Sequence, residues 1–438
     1  MKLRLIFAAV EPLAESAANQ LQDHLRGLGA LLSKQQTETM INTKQHYNLW
    51  TLGLAAAGVV SMASVVQAEE TQNQVATALS STTLSGYVDT SAIWHFGSGN
   101  ALVGRSFDQG TSQGGVLTAP GYNKQDGFNL NVVKLQLEKP LDEAQWSAGY
   151  SVGLLFGPDA NAIGSTSTGV NTSDFAVKNA YVSLRAPIGN GLDFKIGVWD
   201  TPVGFEVFES ASNPNYSRSF AYFLEPVVHT GVQTTYKVND VLSVSAAIAD
   251  RGDINNINSR TAIESLKTYM GGITLTAPES FGTFKGATLS AWIMDHGIAG
   301  APDQTHIYVG GTTPTPLTGL SLGAAYDYRG SDSSKNPVVT SRYANAVSGY
   351  VIYQVTEKLK VANRGEYATG TTGTFYAAAP GKNNALFGYT FTADYSLWSN
   401  VTTRAEFRWD HELHGVGIFN DGTDKNALSL ALNVIYKF

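Results

Sequence analysis

The chain has no cysteine and little charge: Asp, Glu, Lys and Arg together make up 15% of its residues, against roughly a quarter in an ordinary soluble domain. The first lack fits export through an oxidising compartment and decides little by itself. The second argues against a soluble globular protein. Basic excess is missing too, and a net charge of −7 leaves no footprint for nucleic acid. Beyond Ala68 there is no apolar run of about 18 residues, which excludes a transmembrane helix from that part of the chain. What is plentiful is glycine and aromatic side chains, with 44 Gly, 20 Tyr, 19 Phe and 7 Trp. Such a composition suits a protein that meets lipid on one face and sends polar loops into water.

The N-terminal part divides by composition. Lys44 and His46 precede an apolar run over 49–60, and small residues follow, ending at Val66 and Ala68. A charged start, an apolar centre and a small-residue end make a secretory signal peptide over 40–68, with cleavage expected after Ala68. The apolar run is short for a membrane span of roughly 20 residues. Residues 1–39 precede the signal and read as a non-native upstream extension or an extended leader. Residues 69–83 form a polar tether, and 84–438 carry the folded part.

From residue 84 the sequence alternates with period 2, the spacing of a strand with two unlike faces. Leu428, Leu430, Leu432, Val434, Tyr436 and Phe438 share one face, opposed by Ser429, Ala431, Asn433 and Lys437. Val401, Thr403, Ala405, Phe407 and Trp409 oppose Thr402, Arg404, Glu406, Arg408 and Asp410. This pattern predicts 16 strands, near 84–96, 128–139, 145–156, 174–186, 192–200, 228–238, 241–250, 267–277, 286–295, 304–313, 319–329, 343–355, 359–368, 385–397, 401–410 and 425–438.

The connections alternate as well. Those at 139–145, 187–191, 238–240, 356–358 and 398–400 are short, while 97–127, 157–173, 201–227, 251–266, 330–342, 369–384 and 411–424 are long and polar. Alternating strands also occur in soluble sandwiches. The two-length rhythm, the signal peptide and the aromatics at strand ends (Trp94, Phe96, Trp146, Phe156, Tyr236, Tyr328, Trp409, Tyr436, Phe438) point instead to an all-β fold, a transmembrane antiparallel up-and-down β-barrel with long extracellular loops and short periplasmic turns.

Three stretches carry a family resemblance: FAVKNAYVSLRAP (175–187), GVWDTPVGFEVFES (197–210) and NPNYSRSFAYFLEPVVHTGV (213–232). They resemble the OmpL-like β-barrel porins of Gram-negative bacteria, and the likeness extends over 84–438. It implies an outer-membrane porin and names no substrate. The terminal aromatic Phe438, with Tyr436 two before it, is similar to the signal by which the barrel-assembly machinery recognises outer-membrane proteins. Likeness to 16-stranded porins implies a homotrimer.

Permeation chemistry would sit on the polar faces, which collect Lys134, Lys195, Lys237, Asp327, Arg329, Lys360, Arg364, Glu366, Arg404, Glu406 and Arg408. Fixed charge in a water-filled barrel sets ion preference. A bare 16-stranded barrel leaves a wide channel, so something must narrow it. The connection 201–227 is the candidate, being unusually apolar for a loop, with Phe205, Val207, Phe208, Tyr216, Phe220, Tyr222, Phe223 and Leu224. Folded inward, it would hide these side chains and set Glu206, Glu209 and Glu225 against Arg364, Arg404 and Arg408, which lie across the ring. That gives a transverse field at the narrowest point. A blander expectation is that the wall charges Arg404, Glu406, Arg408 and Glu366 pair with one another, and that His229 pins the loop base. Lys195, Arg329, Glu366 and Glu406 would line the lumen.

No cofactor is expected, and no metal. The acidic stretches around Asp250–Asp253 and Asp421–Asp424 offer too few ligands for Ca²⁺. The function expected is passive diffusion of small hydrophilic solutes and ions across the lipid of the outer membrane. Alternatives are a channel selective for a sugar or anion, with the loop aromatics as a stacking track, and a non-conducting adhesion or structural barrel. An outer-membrane lipase would need a nucleophile and a base on one outward face near a rim, and no Ser/His pair shares such a face.

Overall fold

The computed structural model describes residues 81–96, 126–144, 146–163, 174–251, 257–258, 266–297, 303–331, 342–376, 383–420 and 422–438. The expected upstream extension, signal peptide and most of the tether lie outside the described residues. Sixteen strands run in order: β1 Thr83–Phe96, β2 Gly127–Lys139, β3 Ala148–Phe156, β4 Phe175–Ala186, β5 Leu192–Asp200, β6 Val228–Lys237, β7 Leu242–Ala249 and β8 Thr268–Thr276. They continue as β9 Thr288–His296, β10 Gln304–Pro314, β11 Leu320–Ser331, β12 Arg342–Gln354, β13 Leu359–Gly370, β14 Asn384–Trp398, β15 Val401–Glu412 and β16 Asn426–Lys437. Every predicted strand is present. The largest shift is in β3, which starts three residues late, after Trp146 with its positive φ of 60°.

Each strand pairs with its sequence neighbours and β1 pairs with β16, so the sheet closes on itself as an antiparallel barrel. Closure removes the two edges whose unpaired backbone groups lipid could not satisfy. At the seam, Tyr87 faces Lys437 and Phe96 faces Leu428. The last residue extends it: the Gly86 amide donates to the Phe438 carbonyl (2.9 Å) and the Phe438 amide to that of Gly86 (3.0 Å).

Burial follows the alternation. On β15, Ala405 and Phe407 are exposed while Arg404, Glu406, Arg408 and Asp410 are buried. Apolar side chains outside and buried charge inside reverse the order of a soluble protein, as a lipid surround requires. Three register shifts interrupt the pairing among the described residues; the one between β14 and β15 passes over Leu397 beside the turn, and the other two are bulges that break the alternation. Between β1 and β2, Asp89 pairs with Val132 and Thr90 with Leu130, so Asn131 is the extra residue. Between β3 and β4, Gly153 pairs with Asn179 and Leu154 with Val177, so Lys178 is the extra one. Each bulge turns two consecutive residues to the buried face, Asn131 with Val132 and Lys178 with Asn179.

The inside is packed in three main clusters, and the 201–227 connection enters all of them. Phe220, Ala221 and Leu224 pack with Ala344, Ala368, Phe375 and Phe419. Phe208, Tyr222 and Val227 join Tyr87, Val132, Leu155 and Ile435. Val203 joins Trp199, Met270, Trp292 and Tyr308.

Candidate functional site

The 201–227 connection contains no strand and only one short 3-10 turn, Ser210–Ser212. Its backbone groups therefore need other partners. Its two ends are tied first. The Thr201 amide donates to the Val227 carbonyl (3.0 Å), and His229 Nε2 lies 3.1 Å from Thr201 Oγ1. His229 thus pins the loop base, as the blander expectation had it.

The far part of the connection meets β13, β14 and β15. Arg364 is the centre. Its Nη1 donates to Glu206 (2.8 Å) and to the Ser217 carbonyl (2.8 Å), and its Nε to Glu366 (3.0 Å). Its Nη2 reaches Ser217 Oγ, the Arg218 carbonyl and Thr390 Oγ1. Arg404 donates to the carbonyls of Ser210 (2.7 Å) and Asn213 (3.2 Å) and pairs with Asp394 (2.9 Å). Arg408 donates to the Arg218 carbonyl (2.6 Å) and to Asp410 (2.9 Å), and approaches Glu366 at 3.5 Å. Glu406 accepts the Tyr216 and Ser217 amides at 2.5 and 2.9 Å. Glu366 accepts the Phe220 amide at 2.5 Å. Wall charge and loop backbone satisfy one another, and the wall charges also pair among themselves.

The three loop acids part company. Glu206 is the one that meets an arginine of the wall; it also accepts the Ser219 amide (2.7 Å) and the Tyr350 hydroxyl (3.1 Å). Glu209 turns to β2 and β4, pairing with Lys134 Nζ at 2.5 Å and lying 3.9 Å from Lys178 Nζ. Burial pushes its carboxyl up, but Lys178 and Lys134 outweigh burial and hold it down at about 2. Glu225 sits beside Asp327 of β11, where burial first, and then Asp327 and Glu206, raise its carboxyl well above the usual range. Asp327 itself lies 2.9 Å from His306 Nε2. The expected opposition of three acids to three arginines is therefore realised at one pair, Glu206 with Arg364.

Of the expected lumen liners, Lys195 stands over the Tyr181 ring at 5.1 Å and Arg329 donates to Gln304 (3.0 Å). Lys237 is exposed at the turn beside Asp240, and Lys360 pairs with Asp394 (2.8 Å). Lys178, buried and ion-paired with Asp200, was not among the expected residues. Nor was Asn131, which donates to Asp89 (2.7 Å) and accepts from Ser91 (3.0 Å).

A cavity of about 430 Å³ remains beside the loop, lined on the wall by Lys134, Gln136, Glu138, Lys178 and Asn179 and on the loop by Glu209 and Ser212 among others. Among the described residues no group of three or more His, Asp or Glu could hold a metal ion. Asp250 pairs with Lys267 (2.8 Å), while Asp253 and Asp421 lie outside the described residues.

A family model described as "Putative beta-barrel porin-2, OmpL-like" matches residues 81–438. No curated protein matches the chain. Solved structures similar to it include a loop L8 deletion mutant of OmpT, an outer membrane protein of Vibrio cholerae, at 14% identity and a TM-score of 0.51, covering 82% of this chain and 99% of that one. The trimer form of in-vitro folded OmpT from the same organism gives 14%, 0.51, 82% and 99%. An anion-selective porin from Comamonas acidovorans gives 12%, 0.52, 82% and 99%. At such identities the likeness is one of fold.

Proposed function

Because the chain belongs to the OmpL-like β-barrel porin family, we propose that it is a passive diffusion channel of the outer membrane, passing small hydrophilic solutes and ions through a lumen narrowed by the inward-folded 201–227 connection. One observation carries the narrowing. The connection reaches Lys134 on β2, Tyr350 on β12, Arg364 on β13, Thr392 on β14 and Arg404 on β15. A single segment can touch inward-facing side chains so far apart round the ring only from inside it. Glu206, Glu209, Glu225, Arg364, Arg404 and Arg408 then serve the constriction by holding the loop in place. Export follows cleavage after Ala68, and the trimeric form of the Vibrio cholerae relative makes a homotrimer the assembly we favour.

Close packing favours a second reading, a barrel plugged at rest, since Tyr216 and Phe220 are 1% and 0% exposed. That burial also leaves neither ring a free face on which a sugar could stack. Liposome swelling with sugars of rising size separates the readings. A diffusion channel admits the small sugars and excludes the larger, and deleting 206–222 raises the size limit. Swelling by the deletion variant alone identifies a plug, and swelling by neither overturns the channel.

A further inference from the structure

Beside the loop, open space lies away from the places where it meets the arginines of the wall. At β13 and β15 the guanidinium groups of Arg364, Arg404 and Arg408 are directed at loop carbonyls and at carboxylates, and the three residues are 0%, 4% and 0% exposed. None of the three lines the cavity of about 430 Å³, which runs instead along β2, β3, β4, the end of β5 and both ends of the connection. That volume is many times what one water needs.

The wall of this cavity owes its polarity to the β4 bulge. An unbroken strand would send one of Lys178 and Asn179 outward, whereas both are buried here. Asn179 donates to Ser151 Oγ (2.6 Å), as does Gln136 (2.7 Å), giving a neutral amide and hydroxyl surface. The charges largely cancel. Lys134 is paired with Glu209 at 2.5 Å and Lys178 with Asp200. Of the remaining carboxyls on the lining, Glu206 is paired with Arg364 and the Glu225 carboxyl is raised by burial, which leaves Glu138, an exposed carboxylate on the cavity wall with no ion pair to a described residue.

We infer that solutes pass the loop along β2–β4 rather than along the arginine-bearing wall, and that Glu138, beside two internally neutralised ion pairs, gives the passage a weak preference for cations. The arginines hold the loop and do not face the permeating ion. This inference rests on the channel function proposed above.

The absence of cysteine from the chain makes thiol labelling a clean test. Single cysteines are placed at Gln136→Cys and Ser212→Cys, which face the cavity, and at Ser348→Cys on the buried face of β12. The full chain is refolded, inserted in planar bilayers and treated with a charged methanethiosulfonate reagent. A lasting loss of current is expected at the first two positions and none at Ser348→Cys. Reversal potentials in a salt gradient are read in parallel, and Glu138→Gln should shift them toward zero from the cation side. Current loss at Ser348→Cys with none at Gln136→Cys and Ser212→Cys overturns the route. An unshifted or anion-side potential overturns the role of Glu138. Absence of current in the unsubstituted protein would overturn the channel itself, and this inference with it.

Discussion

Arg364 spends its guanidinium N–H groups on Glu206, Glu366, Ser217, Arg218 and Thr390, with no part of it exposed. Removing such a charge strands its partners in a buried site, a loss of about 3–5 kcal/mol. Arg364→Met should therefore lower stability to urea by that amount in detergent-folded protein. Glu209 and Glu225 respond to pH in opposite senses. Glu209 is held down at about 2, so its stabilisation is present above the unfolded value near 4.3 and is lost as pH falls toward the folded one. The gap in stability between wild type and Glu209→Gln should close as unfolding is measured at pH stepped down through that window. Glu225 is raised by burial, Asp327 and Glu206, so its contribution is full in acid and is lost as pH rises. Glu225→Gln should accordingly gain on wild type toward alkaline pH. The three arginines were legible in the sequence because inward-facing charge stands out in an apolar alternation, and Glu206, Glu209 and Glu225 because they lie on a connection too apolar for an exposed loop. It could not say which acid meets which base, since that depends on how 27 irregular residues fold between 201 and 227.

Among elements, strands were legible and their exceptions were not. Period-2 alternation located all sixteen because each must face lipid on one side. On β4 the exposed residues change parity, from Phe175 to Val182 and Leu184. A pattern count takes such a change for noise, whereas it marks the bulge that brings Lys178 inward. Bulges often re-aim side chains near functional sites, and a parity switch within one strand is the signal that could have found this one. The loop stem offers its own test. Gly204 has φ of 115°, and a Cβ there would run into the Glu225 carboxylate. Gly204→Ala should destabilise by more than about 1 kcal/mol and open the connection to limited proteolysis, with the barrel strands still protected.

At the scale of the barrel the described residues are arranged inside out, with polar and charged groups buried in the lumen and Val347, Val351, Phe391 and Phe407 exposed outside. If those side chains meet lipid, Val347→Arg near the middle of β12 should cost about 2–4 kcal/mol in a phospholipid bilayer, read by urea unfolding from liposomes. The same alternation that betrays the barrel is silent on what passes through it, because period 2 fixes which side chains face inward and not how the 201–227 connection packs against them. Single-channel current through the full chain in a planar bilayer, with and without residues 206–222, tests the central claim most directly. Discrete steps that scale with salt, and grow when the segment is removed, are the predicted result. Equal steps in both proteins, or no current from either, would contradict a channel narrowed by its own loop.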